Sequence, residues 1–484
     1  MLISRKPIRT HSCTHAKCKV PPSPELMAKL LERYHELLEQ DRVPKNLTFK
    51  QFFDVWASRR RGEDVIGLDD GSLKSGPAAA VQLIDRPKKE LRGTVRTLVL
   101  LVDFPDAEHN AVNSLAHYKR MLFGLDGQFP TGSMREYYRA ISNYKPNATA
   151  SKVKGIDIDG EVYGWFRLPQ KLSYYAGDSS GMAEAYPRNA QGMAEDAIAA
   201  AKEAGVDFTD YDALGEKVVT ALFIIHAGAG AEESGETSDI WSHKWTLHKD
   251  ITVATGIKVK TYLTVPEDCR VGVCAHEWGH LAARWADYYD TGDIKNMTSN
   301  GLGSYCLMAG GSWANGGTTP ALPNGMLRMF HSWIAPRVLA KSAKGLELKP
   351  AAEGGDCLIV AKAKGLKNGQ YVLIEYRRRR RQDTYLPDEG VAIYVVDESI
   401  KDVNDEGHLA IELLQADGKR DLAAIFNQGN SGDAGDLYPS DAASQIGQKS
   451  VPPLNTPQGK WSGVSIKVLG TPGAATMKLD VTIA

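Results

Sequence analysis

The sequence predicts an α+β fold with a C-terminal antiparallel β-sandwich domain. Between residues 95 and 340, short apolar runs typical of buried strands alternate with segments of helical periodicity. After Pro336, six strand-like runs are separated by Gly, Asn, Asp and Pro, and helix signals are scarce. A chain of 484 residues has room for two to four domains. We therefore expect a helical N-terminal segment at 1–94, a central α+β domain at 95–340 and the sandwich domain at 341–484.

The N-terminal segment begins with a polar, basic tail at residues 1–22 that ends in two prolines. Ser23 is then predicted to cap a helix, with Pro24 at its first position. The apolar residues that follow have helical spacing and form one face: Leu26, Leu30, Leu31, Tyr34, Leu37 and Leu38.

In the central domain, three buried strands and three helices are predicted in alternation. The strands are TLVLLVDFP at 97–105, residues 152–166 and residues 217–226, and the helices are 134–141, 191–205 and 275–286. Residues 290–317 are rich in glycine and are predicted to form loops.

Composition excludes several classes of protein. Hydrophobic residues make up 43% and charged residues 24%, as in ordinary globular proteins. The 58 basic and 59 acidic residues nearly balance, which argues against a nucleic-acid binder. No apolar run approaches the roughly 18 residues that a membrane span needs. The five arginines at 377–381 continue a predicted strand, and we interpret them as part of it, not as a nucleic-acid patch.

The segment VGVCAHEWGHLAARWADYYD contains the strongest chemical signal. On a helix, His276 and His280 lie on one face, so both imidazoles can reach one metal ion. Glu277 follows the first histidine and can take a proton from a water molecule at the metal. This H-E-x-x-H pattern predicts a zincin-type zinc site with Glu277 as the general base. The alternative is an ordinary helix that carries two core histidines.

A site of this type needs a third protein ligand, and the sequence narrows the choice. No glutamate occurs between Glu277 and Glu347, so a downstream glutamate ligand is excluded. The metzincin pattern would place a histidine at position 286, which is an alanine here.

Three aspartates remain as candidates, because a carboxylate oxygen is a competent zinc ligand. They are Asp287, Asp290 and Asp293, and we favour Asp287. On a continued helix, Asp287 would lie about 10 Å along the axis from His280. The chain must therefore leave the helix around residues 284–286, without a glycine to help it turn.

A methionine follows in a sequence typical of a tight turn. Met308, 28 residues after His280, lies in GLGSYCLMAGGSW between a Gly/Ser loop and two glycines. A methionine turn beneath the metal is the second feature of metzincins. The alternative is a single core methionine that fills a gap.

Over roughly residues 95–480, the sequence resembles the immune inhibitor A-like zinc metallopeptidases. Besides HEWGH, the resemblance rests on VLLVDFP, GSMREYYRAIS, VYGWFRLP, HAGAGAEESG with DIWSHKW, DYYDTG, CLMAGG, EYRRR with LPDEGVAIYVVDE, and GDAGDLYP. It implies a metzincin-like zinc endopeptidase, usually secreted, with a propeptide before the catalytic domain and a β-rich domain after it. The N-terminal segment 1–94 would then be propeptide-like, although no signal peptide is visible in it.

The resemblance also implies roles for individual residues. His276 and His280 match zinc ligands, Glu277 matches the base, and Asp287 takes the position of the aspartate ligand. Better-known members place that aspartate one residue earlier, after a turn that contains glycine, and this chain departs from them there.

We therefore expect a zinc-dependent endopeptidase whose partners are proteins or peptides and not nucleic acid. The alternative is a non-catalytic binding module of the same fold that binds carbohydrate or protein through its β-rich C-terminal domain. An intact Glu277 favours the enzyme, because binding alone needs no base. A peptide substrate would add as an extended strand to a sheet edge, with residues 228–245 at the rim of the cleft.

Other side chains are candidates for supporting roles. Tyr289, Tyr305 and His243 could help to stabilise an oxyanion. Four acids in the loop after the third strand could hold a Ca²⁺ ion or could simply be solvated: Glu232, Glu233, Glu236 and Asp239.

The cysteines suggest two further hypotheses. A disulfide between Cys274 and Cys306 would tie the zinc helix to the methionine turn. A thiolate of Cys13 or Cys18, in the tail before the catalytic domain, could cap the zinc and keep the enzyme latent.

Overall fold

The computed structural model describes residues 18–60, 89–127, 132–146, 155–183, 185–289, 299–400, 409–424 and 429–484. Within these ranges the chain forms a mixed α and β structure whose strands lie in three sheets. Among the described residues, no helix is both long and apolar enough to cross a bilayer.

The helices are α1 Pro24–Glu39, α2 Phe49–Arg60, α3 Leu115–Phe123, α4 Met134–Ile141, α5 Leu172–Ala176, α6 Ala190–Glu203, α7 Ala231–Ser234, α8 Val271–Leu281 and α9 Gly325–Phe330. The strands up to residue 338 are β1 Cys18–Lys19, β2 Gly93–Asp103, β3 Ile156–Arg167, β4 Leu222–His226, β5 His243–Ala254, β6 Ile257–Pro266 and β7 Arg337–Val338. The remaining strands are β8 Ala343–Leu348, β9 Leu358–Val360, β10 Gln370–Arg377, β11 Gly390–Asp397, β12 Ile411–Leu413, β13 Gln445–Ile446, β14 Val464–Leu469 and β15 Met477–Ile483.

The first sheet has six strands in the order β1-β5-β6-β4-β2-β3. Strands β3, β2, β4 and β6 run parallel, whereas β5 and β1 pair antiparallel at one edge. Side chains of β2 alternate between the two faces, as the period of a strand requires. Val99 and Leu101 pack in the core that contains α4 and α8, and Leu98 and Leu100 pack in the core that contains α6. Helices thus cover both faces of the sheet.

Local sequence signals position the helices as predicted. Ser23 caps α1 by accepting a hydrogen bond from the Leu26 backbone NH at 3.1 Å. Ser133 and Glu136 form a reciprocal capping box at the start of α4, which has the predicted bounds 134–141. The predicted bounds of α8 are wrong: this helix begins at Val271, not at 275, and ends at Leu281, not at 286.

The other two sheets lie in the C-terminal part of the chain. One has the strand order β12-β11-β10-β9-β7 and the other β13-β14-β15-β8. Both contribute to one buried core, in which Ile374 of β10 and Ile393 of β11 lie with Ile466 of β14 and Leu479 of β15. The opposite face of the five-stranded sheet packs elsewhere: Leu373 and other residues of β10 and β11 belong to the same core as α8. The C-terminal part is therefore continuous with the core that holds the H-E-x-x-H helix.

The buried side chain of Arg377 links strand β10 to the segment before the methionine turn. Its guanidinium is fully buried and makes two hydrogen bonds of 2.7 Å to the carboxylate of Asp383. It also donates to the backbone carbonyl of Tyr305 at 2.8 Å, just before the methionine turn. Arg377, the first arginine of the five-arginine run, therefore links Asp383 to the segment before the methionine turn. Arg380 of the same run is exposed.

Replacing Arg377 with methionine is expected to lower the free energy of unfolding by about 3–5 kcal/mol, because it leaves a buried carboxylate without its partner. Urea unfolding followed by circular dichroism measures this change. Arg380→Met is the matched control and should change the stability little. An equal decrease in the free energy of unfolding in the two variants would contradict the role assigned to Arg377.

Candidate metal centre

Helix α8 carries the H-E-x-x-H motif through the interior of the protein, and all of its residues are buried. His276 and His280 lie one turn apart, and their Nε2 atoms are 3.0 Å from each other. The helix can lie this deep because two of its positions are glycines. A Cβ on Gly272 would be 2.0 Å from the Ser312 carbonyl oxygen, and one on Gly279 would be 3.0 Å from the Met308 sulfur. Met308 therefore packs directly against this helix.

Backbone carbonyls orient both imidazoles. His276 Nδ1 lies 2.9 Å from the Leu307 carbonyl oxygen, and His280 Nδ1 lies 2.7 Å from the Trp285 carbonyl oxygen. These contacts assign the ring proton to Nδ1 in each case, which leaves the Nε2 lone pair facing the site. A hydrogen bond of this kind to the far ring nitrogen is typical of metal-binding histidines.

A sharp turn brings Asp287 back to the two histidines. After α8 ends at Leu281, Arg284 adopts the left-handed conformation with φ of 59°, where glycine is usual. Its guanidinium pairs with Glu216 at 2.6 Å. Asp287 is fully buried, and its Oδ1 lies 3.2 Å from His276 Nε2 and 3.0 Å from His280 Nε2. The turn predicted at 284–286 is confirmed, and a non-glycine residue makes it.

The three atoms make a donor set that suits a metal ion. Two Nε2 lone pairs and a carboxylate oxygen converge within 3.2 Å, and all three are electron-pair donors. Burial lowers the pKa of His276, which disfavours its protonation. A cation between these groups would remove the repulsion among their lone pairs.

The other two candidate aspartates, Asp290 and Asp293, lie outside the described residues. The thiol of Cys18 lies beside two of the three donors, His280 and Asp287. Its sulfur and one ligand atom each of His280 and Asp287 are all within 4.8 Å of one another. The sequence hypothesis had named Cys18 or Cys13, and Cys13 lies outside the described residues.

Glu277 is fully buried beside the histidines. Neither of its carboxylate oxygens has a side-chain hydrogen-bond partner among the described residues, and the backbone of Val20 interacts with the carboxylate. Burial raises the pKa of Glu277 well above its usual value, and the charges of Asp287 and Glu232 add to this effect. A buried carboxylate without a side-chain partner is costly in a protein interior, and such groups often have a chemical role.

The three side chains predicted as candidates for oxyanion stabilisation have different hydrogen-bond partners in the structure. The hydroxyl of Tyr305 donates to Asp436 at 2.9 Å in the C-terminal part of the chain. Both ring nitrogens of His243 are occupied, by the Trp241 carbonyl at 2.6 Å and by the Tyr262 hydroxyl at 3.1 Å. The hydroxyl of Tyr289 donates to the backbone carbonyl of Lys19, the residue next to Cys18. Tyr289 alone of the three reaches a peptide carbonyl at the metal centre.

The hypothesis of a disulfide between Cys274 and Cys306 is wrong. The Cys274 sulfur lies 3.5 Å from the sulfur of Cys269, and neither cysteine is in a disulfide. The Cys306 sulfur instead accepts a hydrogen bond of 3.8 Å from Asn324. The side chain of Cys274 thus faces the start of α8, away from the methionine turn.

The acidic loop offers little support for a calcium site. Glu233 pairs with Arg270 at 3.4 Å, and Asp239 accepts a hydrogen bond of 2.6 Å from Ser234. Glu232 is fully buried and accepts from the Ser242 backbone NH at 2.9 Å and from its hydroxyl at 2.5 Å. In the described ranges, the acids of this loop do not converge into a group able to hold a metal ion.

Glu232 instead predicts a dependence of stability on pH. Burial raises the pKa of its carboxyl from 4.5 to about 7. The folded chain therefore binds this proton more tightly than the unfolded chain, and stability falls as pH rises from about 4.5 to about 7. Glu232→Gln should remove this contribution, which is on the order of 3 kcal/mol. Unfolding free energies measured across this pH window should show a flatter curve for Glu232→Gln than for the wild type or for the exposed control Glu161→Gln. Parallel curves for all three proteins would contradict the prediction.

Comparison with known proteins shows the family of this chain. The family model of the catalytic domain of the immune inhibitor A peptidases, family M6, matches residues 86–333. Immune inhibitor A of Bacillus thuringiensis subsp. alesti is 30% identical over 301 residues, which cover 52% of this chain and 42% of that protein. The pre-pro-metalloprotease PrtV of Vibrio cholerae serotype O1 is 28% identical over 312 residues, which cover 53% of this chain and 32% of that protein.

The matched regions thus span less than half the length of either relative. The family model, in contrast, covers half of the chain and includes the whole of α8, Asp287 and Met308. This chain belongs to the immune inhibitor A family of metallopeptidases, family M6.

Proposed function

We propose that this protein is a zinc-dependent endopeptidase with His276, His280 and Asp287 as metal ligands. The observation that carries the proposal is the convergence of two oriented imidazoles and one carboxylate within 3.2 Å in a fully buried site. Nitrogen and oxygen donors in this number are typical of catalytic zinc, which keeps a fourth position for water or substrate. When bound, zinc would polarise the scissile carbonyl and make a water molecule more acidic.

Glu277 is proposed as the general base. It lies beside His276 on α8, and no described side chain forms a hydrogen bond with its carboxylate. It would take a proton from the attacking water and deliver it to the leaving amine. Tyr289 would donate a hydrogen bond to the oxygen of the scissile peptide, as it does to the Lys19 carbonyl.

The domain organisation is part of the same proposal. Residues 1–94 would form a propeptide-like segment, 95–340 a metzincin-like catalytic domain and 341–484 a β-sandwich. The shared core of the two C-terminal sheets and the contact between Met308 and α8 support these assignments. We also propose secretion, in line with the family resemblance and with the name pre-pro-metalloprotease of the Vibrio relative.

Metal analysis combined with a casein cleavage assay tests the proposed activity. The purified protein is assayed intact and after limited trypsin digestion, with and without a zinc chelator. We expect one zinc per chain and a cleavage activity that the chelator abolishes and added zinc restores. Bound zinc without cleavage in either form would refute the peptidase and favour the non-catalytic binding module.

A further inference from the structure

The N-terminal segment 18–23 passes directly through the proposed active site. Its first two residues form β1, the edge strand, which pairs antiparallel with β5, so that Cys18 lies opposite Lys244 and Lys19 opposite His243. Cys18 is fully buried, with its sulfur beside His280 and Asp287. The segment therefore occupies both the sheet edge and the metal centre.

Hydrogen bonds to its backbone hold this segment along its length. The Val20 carbonyl accepts from the Trp241 indole NH at 2.8 Å, and the Pro21 carbonyl accepts from the Trp313 indole NH at 2.9 Å. The other bonds join Lys19 O to the Tyr289 hydroxyl, Val20 NH to Ser242 O at 3.3 Å, and Ser23 NH to Glu232 O at 2.9 Å. All these contacts involve main-chain atoms of the segment, and such contacts would suit any extended peptide.

The two helices that follow the segment pack against the same rim. The ring of Trp56 in α2 lies edge-on to Trp241, with centroids 6.1 Å apart. The guanidinium of Arg60 donates to the Gly235 carbonyl at 2.6 Å. Helix α1 begins at the Ser23 cap and also contacts this loop, since a Cβ on Gly235 would be 3.0 Å from Leu26. The segment is thus fixed at both ends, by β5 and by α1.

Cys18 carries the only thiol in segment 18–23. Thiolate is one of the preferred ligands of zinc. Zinc sites with four protein ligands are closed and structural, whereas catalytic sites leave one position open. A sulfur ligand added to His276, His280 and Asp287 would complete four ligands and leave no place for water.

We propose that Cys18 is the fourth ligand of the metal centre in the intact chain, and that segment 18–23 thereby keeps the peptidase latent. This inference rests on the proposed function. No covalent bond is made or broken at the sulfur apart from its coordination: on release, the thiolate takes up a proton and leaves as a thiol. After the segment departs, Tyr289, Trp241 and Trp313 present the same donors to the backbone of a substrate that adds to β5.

Cobalt substitution tests the sulfur ligand without depending on catalysis. A thiolate bound to Co²⁺ gives an intense charge-transfer absorption in the near ultraviolet, which nitrogen and oxygen ligands do not give. We expect this band in the wild-type chain loaded with Co²⁺. It should be lost in Cys18→Ser and in Cys18→Ala while cobalt remains bound. Cys13→Ser, which removes the other tail thiol, is the matched control and should retain the band.

Peptidase assays of the same proteins test latency. Cys18→Ser should cleave casein without delay, whereas the wild type should show a lag until its N-terminal segment is removed. If the wild-type protein binds cobalt but lacks the charge-transfer band, Cys18 is not a ligand and the inference is wrong. This result does not depend on whether the variants fold. Loss of the band without a change in the lag would overturn latency. A chain that binds no cobalt at all would instead refute the proposed function, and the inference with it.

Discussion

Replacing Glu277 with glutamine is expected to lower kcat/KM for peptide hydrolysis by about 10²–10⁴-fold, the usual contribution of a general base. Glutamine has the same shape but cannot accept a proton at neutral pH. The zinc content should not change, because the proposed donor atoms belong to His276, His280 and Asp287 and not to Glu277. The assay is carried out on intact protein and on protein treated with trypsin, so that a latent form does not mask the effect.

Glu161→Gln provides the control, since Glu161 is exposed and pairs with Lys119 on the surface. It should keep the activity of the wild type. Normal turnover in Glu277→Gln would end the assignment of the base. Loss of zinc from Glu277→Gln would show that this carboxylate supports the metal instead of accepting a proton.

Replacing Asp287 with alanine is expected to weaken zinc binding by more than the roughly 10–100-fold that loss of a supporting hydrogen bond costs. The carboxylate is fully buried and its Oδ1 lies within 3.2 Å of both imidazoles. Its removal leaves His276 and His280, joined by the proposed ligand Cys18 only in the intact chain. Competition with a chromogenic zinc chelator measures the affinity.

Asp290→Ala is the matched control, because the sequence alone left Asp290 as an alternative ligand. It should bind zinc as tightly as the wild type. The reverse result, in which Asp290→Ala loses zinc and Asp287→Ala keeps it, would overturn the ligand set proposed from the structure.

The features that the sequence predicted well are those that depend on local physics. The Ser23 cap follows from a side-chain oxygen placed before an apolar periodic segment, and helix α4 has the predicted bounds 134–141. His276 and His280 converge because four residues make one helical turn. The sequence also required a turn before Asp287, since a continued helix would have carried this aspartate away from the metal.

The features that the sequence did not predict depend on long-range packing. The end of α8 at Leu281 could not be derived, because residues 282–286 have ordinary helix propensity and tertiary contacts decide where the helix stops. Arg377 is buried only because Asp383 and the carbonyl of Tyr305 meet it from other parts of the chain. The spacing of the cysteines in the sequence likewise did not predict that the side chain of Cys274 faces Cys269 and not Cys306.

The position of Cys18 illustrates the same limit. The sequence showed only that a thiol precedes the catalytic region, and Cys13 was an equal candidate. Pairing of Cys18 with Lys244 depends on the sheet, in which strand β5 lies more than 200 residues away in sequence. The folded chain places Cys18 beside His280 and Asp287, whereas Cys13 lies outside the described residues.

X-ray absorption at the zinc edge of the intact wild-type protein tests the metal centre most directly. The ligand set predicts two imidazole nitrogens and one carboxylate oxygen at about 2.0–2.2 Å, with one sulfur at about 2.3 Å from Cys18. The spectrum requires no mutation and no catalytic turnover. A chain without stoichiometric zinc, or a zinc ion whose spectrum lacks imidazole scattering, would contradict the account.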